Sequence, residues 1–390
     1  MPAFKIFGEH DDGTKQQMAR CMGIGSVVGG VLCADGHLGY AQPVGGVIAY
    51  EDHISVSGVG FDIACGNMAV RLDVKRDAIN DEIGTIVADI GKAVSFGIGR
   101  VNAEKVEHPL FDSPLWSEVA EIGRLKQMAR DQLGTVGSGN HYVDLFEDEA
   151  GWVWIGVHFG SRGLGHKSAT TFIKLAGGKD GIDVEPTILH HDSELGQKYL
   201  AGMNLAGQYA YAGREWVVER VRAIIGGTVT DSIHNHHNYA WREKHGDRDL
   251  WVVRKGATPA FPGQRGFVGG SMGDDAVILS GVESEAAAAS FYSTVHGAGR
   301  VMSRTQARGK RNRKTGEVIT VGRITPGEMQ AWLRERGVLL HGGDLDEAPQ
   351  AYRRLPDVLA CHAGTVRIEH TLRPFAVVMA GADVFDPFKD

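Results

Sequence analysis

Cysteine is scarce in this chain. Its 390 residues hold four, Cys21, Cys33, Cys65 and Cys361, and no two form a CxxC pair. That excludes a disulfide-framed fold, which depends on dense and paired cysteine. Long hydrophobic runs are missing as well. No apolar stretch approaches the roughly 20 residues that a membrane-spanning helix needs, and Met1 to His10 carries no apolar secretory region. A reducing cytoplasmic setting, without a membrane, is the expectation. Positive charge is not in excess, because the formal net charge is -7. The whole chain is therefore no polycation, and contact with nucleic acid has to use a local basic patch. Tandem repeats, low-complexity linkers and breaks in composition are absent too. One domain spanning residues 1–390 is expected.

What is present is a soluble-enzyme balance, 43% hydrophobic and 23% charged, with enough length for a sizeable core. Glycine stands at 54 residues, about twice its average frequency and without a strict period. It marks tight turns and close backbone approaches. Residues 15–50 alternate apolar runs with glycine and read as short strands and turns. Apolar spacing predicts amphipathic helices over 78–90 and 114–133, both scaffold. A longer helix is expected from Ser193 to about Ile225 and onward toward Asp231, with Tyr199, Leu200, Met203 and Tyr209 on a core-facing stripe. Thr325-Pro-Gly-Glu reads as a capped helix start, residues 346–352 as a further helical segment, and Phe375 to Gly381 as a buried strand.

The polar residues that punctuate this pattern are the candidates for chemistry. Asp62 and Cys65, three apart between glycine-flanked apolar stretches, can face one metal. A hard carboxylate beside a soft thiolate suits Mn, Fe, Co or Zn; a buried free cysteine fits the same pattern. Asn140 and His141 follow a glycine-rich turn. His158 lies near the end of the apolar run from Trp152, so His141 and His158 can sit side by side on neighbouring strands. His237 is a ligand candidate, with His234 and His236 as neighbours. Asp35 and His37 follow another apolar run, as site residues or as a surface turn. Ser161-Arg162-Gly and Gly270-Ser271-Met272-Gly273 have the composition of phosphate-binding turns. Arg254 and Lys255 end a strand. Arg304, Arg308, Lys310, Arg311, Arg313 and Lys314 make the most basic segment, either a polyanion track or an exposed hairpin.

One stretch organises the rest: Ser293-Thr-Val-His296-Gly297-Ala298-Gly299-Arg300, with Ser303 and Arg304 behind it. Glycine on both sides of Ala298 lets the backbone approach a ligand. Arginine forks suit phosphate oxygens, and an imidazole held there can attack phosphorus. A glycine-rich turn around a capped histidine is the alternative.

Taken in order, these segments resemble the RtcB family of RNA-splicing ligases. The match runs through Asp35-Gly-His37, Gly60-Phe-Asp62-Ile-Ala-Cys65-Gly, Gly139-Asn140-His141, His158-Phe-Gly-Ser-Arg162-Gly, His237-Asn238-Tyr, Arg254-Lys255-Gly-Ala, Gly270-Ser-Met-Gly273, His296-Gly-Ala-Gly-Arg300 and Glu347-Ala-Pro-Gln-Ala-Tyr352. It covers nearly the whole chain. The resemblance implies an α+β fold with a β-rich core, flanking helices and a deep metal and nucleotide cleft. It implies two manganese ions on Asp62, Cys65, His141, His158 and His237, with Cys65 bridging. His296 is the implied nucleophile toward GTP. Asn140, Ser271, Met272, Gly273, Gly297, Ala298, Gly299 and Arg300 are the implied nucleotide contacts. The implied reaction joins RNA 3′-phosphate or 2′,3′-cyclic phosphate ends to 5′-hydroxyl ends, in tRNA splicing or RNA repair. A diverged nucleotidyltransferase or phosphohydrolase, or a non-catalytic RNA-end binder, are the other readings of the same residues. Three positions depart from the family pattern. Ala380 stands where the last strand usually carries lysine, with Lys389 further on; Asp144 stands where glutamate is usual; Gly269 stands where proline is usual.

Overall fold

Two β-sheets meet along one edge, and the candidate residues lie at that edge. A computed structural model describes residues 4–312, 315, 317–382 and 384. In the larger sheet the strands run Arg265–Val268, Ala276–Gly281, Val366–Gly381, Tyr142–Glu147, Trp152–Phe159, Gly66–Lys75 and Val229–His236, with Leu339–Gly343 pairing parallel onto Val366–Gly381. The smaller sheet runs Phe4–Ile6, Val27–His37, Val44–Tyr50, Arg248–Lys255 and Asn238–His245. The architecture is α+β, as expected.

The Trp152–Phe159 strand is buried at every position but its first, so both faces of the large sheet are covered. On one face Val153, Ile155 and Val157 pack with Val217, Val218 and Val221 of the Glu194–Ile225 helix. On the other, Trp154 packs with Phe146, Phe267 and Ile278. The long helix starts at Ser193, whose side chain accepts from the Gly196 amide. That cap is worth about 1 kcal/mol, while each large apolar side chain it buries is worth about 1.5–3 kcal/mol. Packing of the Tyr199, Met203 and Tyr209 stripe therefore holds it. No helix among the described residues is long and apolar enough to cross a membrane.

Several expectations need correction. The long helix stops at Gly226, which takes φ +87°, and residues toward Asp231 form the Val229–His236 strand instead. Residues 114–133 are three short helices, Leu115–Glu118, Ala120–Gly123 and Lys126–Gln132. Tertiary contacts override the helical spacing there. The Trp116 indole donates to Leu110 O at 2.9 Å, and a Cβ at Gly123 would lie 2.2 Å from Trp116 O. The apolar face survives the breaks, with Trp116, Ile122, Leu125 and Ala129 in the core. Residues 78–90 begin as a 3-10 helix, Arg76–Glu82, before Ile83–Ala93. Residues 15–22 belong to the helix Asp12–Met22, capped by Asp11, and Val27–His37 is one long strand rather than several. Pro326–Glu335 forms with a full capping box. Residues 345–351 are two 3-10 turns.

Candidate functional site

Four neighbouring strands of the large sheet place the polar residues. Cys65 precedes Gly66–Lys75, His141 precedes Tyr142–Glu147, His158 sits one residue before the end of Trp152–Phe159, and His237 follows Val229–His236. The antiparallel register sets Tyr142 and Asn67 on either side of His158, and Gly66 opposite His236. The ends therefore coincide at one edge. His237 is also the single residue between the large-sheet strand and Asn238–His245 of the small sheet. Its amide donates to Cys65 O at 2.8 Å.

The ligand atoms converge. Cys65 Sγ lies 3.3 Å from His158 Nε2 and 3.6 Å from His141 Nε2. His141 Nε2 is 3.1 Å from Asp62 Oδ2. Two triads result, Cys65–His158–His237 and Asp62–Cys65–His141, each with ligand atoms within 4.8 Å. They share the Cys65 sulfur. Backbone carbonyls orient the rings: His158 Nδ1 is 2.9 Å from Asn140 O and His141 Nδ1 is 3.1 Å from Val136 O. Donation from Nδ1–H leaves the His158 Nε2 lone pair turned inward, as ligation needs. Arg162 Nη1 also reaches His141 Nδ1, at 3.0 Å. Burial, with neighbouring histidine charge, holds His158 and His237 well below the usual histidine range, so they are neutral imidazoles. Burial acts to raise Asp62, but the hydrogen bond and charge of His141, with Arg162 behind, hold it well below the usual carboxylate range. Burial pushes the Cys65 thiol well up; a thiolate there calls for a cation. His237 Nδ1 is buried without a hydrogen-bond partner. This donor set fits metal ions, and two triads on one sulfur fit a pair.

His296 enters from the turn after Ser293–Val295, which pairs with Ala257–Pro259. The Asp35 carboxylate holds it. Asp35 Oδ2 lies 2.6 Å from His296 Nδ1 and accepts from the amides of His296 at 3.0 Å and Gly297 at 3.3 Å. Asp35 is fully buried, and a register shift between Leu32 and His37 carries it out of the regular ladder. Burial acts to raise its carboxyl, and the charge and hydrogen bonds of His296 bring it below the usual range. Nδ1 is thereby occupied, and Nε2 of His296 is the nitrogen left for chemistry. Gly299 takes φ +76°, and a Cβ there would sit 2.2 Å from Asp35 O. The His237 and His296 ring centroids are 5.0 Å apart.

A cavity of about 270 Å³ joins these parts. Asn140, Ser271 and Met272 line it, as do Gly297, Ala298, Gly299 and Arg300. Gly273 is not on its wall; it turns at φ +73° toward Leu333 and Trp332. Ser271 Oγ is buried and unpartnered. Arg300 builds the wall: its guanidinium donates to Glu347 at 3.1 Å, Tyr352 Oη at 2.8 Å and Asp346 O at 2.6 Å. Arg304 pairs with the same acidic turn and Arg308 with Asp344. Two of the six residues of the expected basic track are thus engaged in ion pairs. Lys310 is exposed, while Arg313 and Lys314, like Lys389, lie outside the described residues. Of the strand-end cations, Arg254 is buried against Glu243, at 2.6 Å. Lys255 lines the cavity and donates to Tyr40 O at 2.6 Å and Gln42 O at 3.1 Å, with burial lowering its pKa to about 8. The Ser161 turn is no open cradle, because Ser161 Oγ bonds Ile63 O.

The sequence gives no role to Lys255, Glu347 and Tyr352, offers Asp35 only as a site residue or a surface turn, and assigns Arg162 to a phosphate turn, whereas Arg162 meets His141. The Asp35-Gly-His37 motif was visible as a strand end, but its partner His296 lies 261 positions away. Asp144 also lines the cavity. Burial raises its carboxyl well above the usual range, and Oδ1 and the neighbouring Tyr142 Oη have no partner. Val377 and Met379 of the last strand line the cavity and Ala380 does not.

Known proteins are similar to this chain along almost its whole length. The family model described as tRNA-splicing ligase RtcB matches residues 17–380. The RNA-splicing ligase RtcB of Escherichia coli strain K12 is 31% identical over 377 residues, with 88% of each chain covered. The tRNA-splicing ligase RtcB of Thermococcus kodakarensis is 31% identical over 435 residues, covering 89% of this chain and 86% of that one. That of Archaeoglobus fulgidus is 31% identical over 437 residues, with 90% and 88% covered.

Proposed function

This chain belongs to the RtcB family, and on that premise we propose that it is an RNA ligase. It joins RNA 3′-phosphate or 2′,3′-cyclic phosphate ends to 5′-hydroxyl ends at the expense of GTP. The observation that carries the reading is His296, held through Nδ1 by the buried Asp35 carboxylate and set beside the Cys65–His158–His237 triad.

Asp35 accepts from Nδ1–H, which directs the Nε2 lone pair outward and stabilises the cationic ring that forms on attack. Nε2 attacks the α-phosphorus of GTP; an N–P bond forms, the bond to the β-phosphate oxygen breaks, and pyrophosphate leaves. An oxygen of the RNA 3′-phosphate then takes the GMP group from His296, giving an activated anhydride end. The 5′-hydroxyl attacks the RNA phosphorus and GMP departs. A cyclic phosphate is first opened by water to the 3′-phosphate. Asp62, Cys65 and His141 would hold one manganese ion, and Cys65, His158 and His237 the other. Bound there, the ions supply positive charge for the phosphate oxygens. Asn140, Ser271 and the amides of Gly297, Ala298 and Gly299 receive the nucleotide, while Arg300 braces that wall through Glu347 and Tyr352.

The test is covalent labelling with α-labelled GTP and Mn, read after denaturation. Label on the parent chain and none on His296→Ala is the expected result; label retained by His296→Ala sinks the nucleophile. A second reading is favoured by Ala380, which brings no cation beside the Met379 wall. In that reading the chain is a nucleotidyltransferase or phosphohydrolase that no longer joins RNA. It predicts label or nucleotide turnover without joined product when both RNA ends are supplied.

A further inference from the structure

Arg214 sits outside the cavity, in the long helix Glu194–Ile225, and is fully buried. A buried guanidinium is costly unless it is well satisfied. Among the described residues no carboxylate pairs with it at ion-pair distance. Its partners are neutral acceptors. Nη1 donates to Ala64 O at 3.1 Å and Phe159 O at 2.5 Å. Nη2 reaches His236 Nδ1 at 2.9 Å, and Nε donates to His234 Nε2 at 2.8 Å.

Three of those contacts share a property. Ala64 precedes Cys65, Phe159 follows His158 and His236 precedes His237. One side chain thus grips a neighbour of every member of the Cys65–His158–His237 triad. Those members come from three strands that share no turn. Ala64 also takes φ +60°, an uncommon conformation for a residue with a Cβ, and Arg214 binds its carbonyl. The other triad differs. Asp62 and His141 receive no contact from Arg214, and His141 is met by Arg162 instead.

We propose that Arg214 is the positioning residue of the Cys65–His158–His237 triad, fixing the spacing of its three donors for one of two metal ions. The proposal rests on the metal reading given above. Planarity and the fork explain why the residue is arginine. Lysine keeps the charge but has one nitrogen, and cannot bridge Ala64, Phe159 and His236 together.

The test uses the full chain, stripped of metal and titrated with Co²⁺. The thiolate-to-cobalt absorption and the visible bands report each ion. The wild-type chain is expected to take up cobalt in two steps. Arg214→Lys should weaken one step by about 10–100-fold and the other, which shares only Cys65 with it, by a clearly smaller factor. His236→Asn, which alters the Nη2 contact together with the ring stacking on Tyr211 and Tyr239 but leaves the Ala64 and Phe159 carbonyl contacts of Arg214, should weaken the same step by a smaller factor. Two unchanged steps in a folded Arg214→Lys chain overturn the proposal. Equal weakening of both steps, as a general loosening produces, overturns it too. Should Arg214→Lys fail to fold by circular dichroism, His236→Asn decides on the same criteria. A wild-type chain that binds no cobalt overturns the metal reading and this inference with it.

Discussion

Asp35 and His296 show how much a single pair decides. The 2.6 Å contact between Asp35 Oδ2 and His296 Nδ1 leaves Nε2 as the nitrogen proposed to react, and the same oxygen takes two backbone amides. Asp35→Asn keeps an acceptor near those amides but removes the charge that steadies an imidazolium. The initial rate of GMP labelling is expected to fall by on the order of 10²–10⁴-fold, with the circular dichroism spectrum unchanged. A labelling rate within twofold of wild type would show that Asp35 serves the turn alone. The proposed metal donors make a second residue-scale case. Cys65→Ser retains the size of the side chain and exchanges a soft sulfur for a hard hydroxyl. Since both triads share that sulfur, metal binding is expected to weaken at both sites, measured by calorimetric titration with Mn²⁺. Loss confined to one site would refute the shared role.

At the scale of elements, two glycines, one in the sheet and one on an exposed helix face, behave oppositely. A Cβ at Gly66 would lie 2.1 Å from Asn235 O, across the pairing of Gly66–Lys75 with Val229–His236. That pairing carries Cys65 and His237. Gly66→Ala is expected to push the strands apart, lowering the unfolding midpoint in urea and abolishing metal uptake together. Gly84, in the Ile83–Ala93 helix, meets nothing within 4 Å. Gly84→Ala should stabilise the chain by up to about 1 kcal/mol, through helix propensity, and leave metal uptake alone. Equal effects of the two substitutions would contradict the packing described here. The helical elements also show where spacing misleads. The apolar face of residues 114–133 is real and buried, yet the backbone breaks because the Trp116 indole docks on Leu110 O. The spacing of side chains survived a change in backbone that it did not encode. Residues 229–236 pair as a strand because Gly226 ends the helix at positive φ.

For the whole molecule, buried neutral histidines set a pH limit. His362 is fully buried, stacked on Phe7, and its Nε2 accepts from the Ala34 amide at 3.2 Å. Burial lowers its pKa to about 4. Burial does the same to His234, also to about 4. In the unfolded chain each titrates near 6.5. A lowered folded pKa means that the unfolded state binds the proton first, so stability present above about pH 6.5 is lost as pH falls toward 4. The contribution is at most about 3 kcal/mol for a residue as buried as His362. Urea unfolding midpoints should therefore drop steadily between pH 6.5 and 4, and His362→Gln should flatten that slope. A flat profile over the same interval in the wild-type chain would argue against neutral burial.

The sequence by itself determined the family and the candidate site residues. Asp62, Cys65, His141, His158 and His296 stand within two residues of a glycine, and His237 stands in a run of histidine and asparagine; local pattern reports such things because strand ends and tight turns are local. It also marked the run from Trp152 to Phe159 as a strongly apolar strand, and that strand is buried at all but its first position; the β-rich core followed from the family resemblance. Tertiary structure alone decided the partners. Asp35 meets His296 across 261 positions, Arg214 meets Ala64 across 150, and Arg300 turns to Glu347 across 47. Such contacts depend on strand order and on a register shift near Asp35. Strand pairing is a balance of burial summed over both sheets, and no short window of sequence contains that sum.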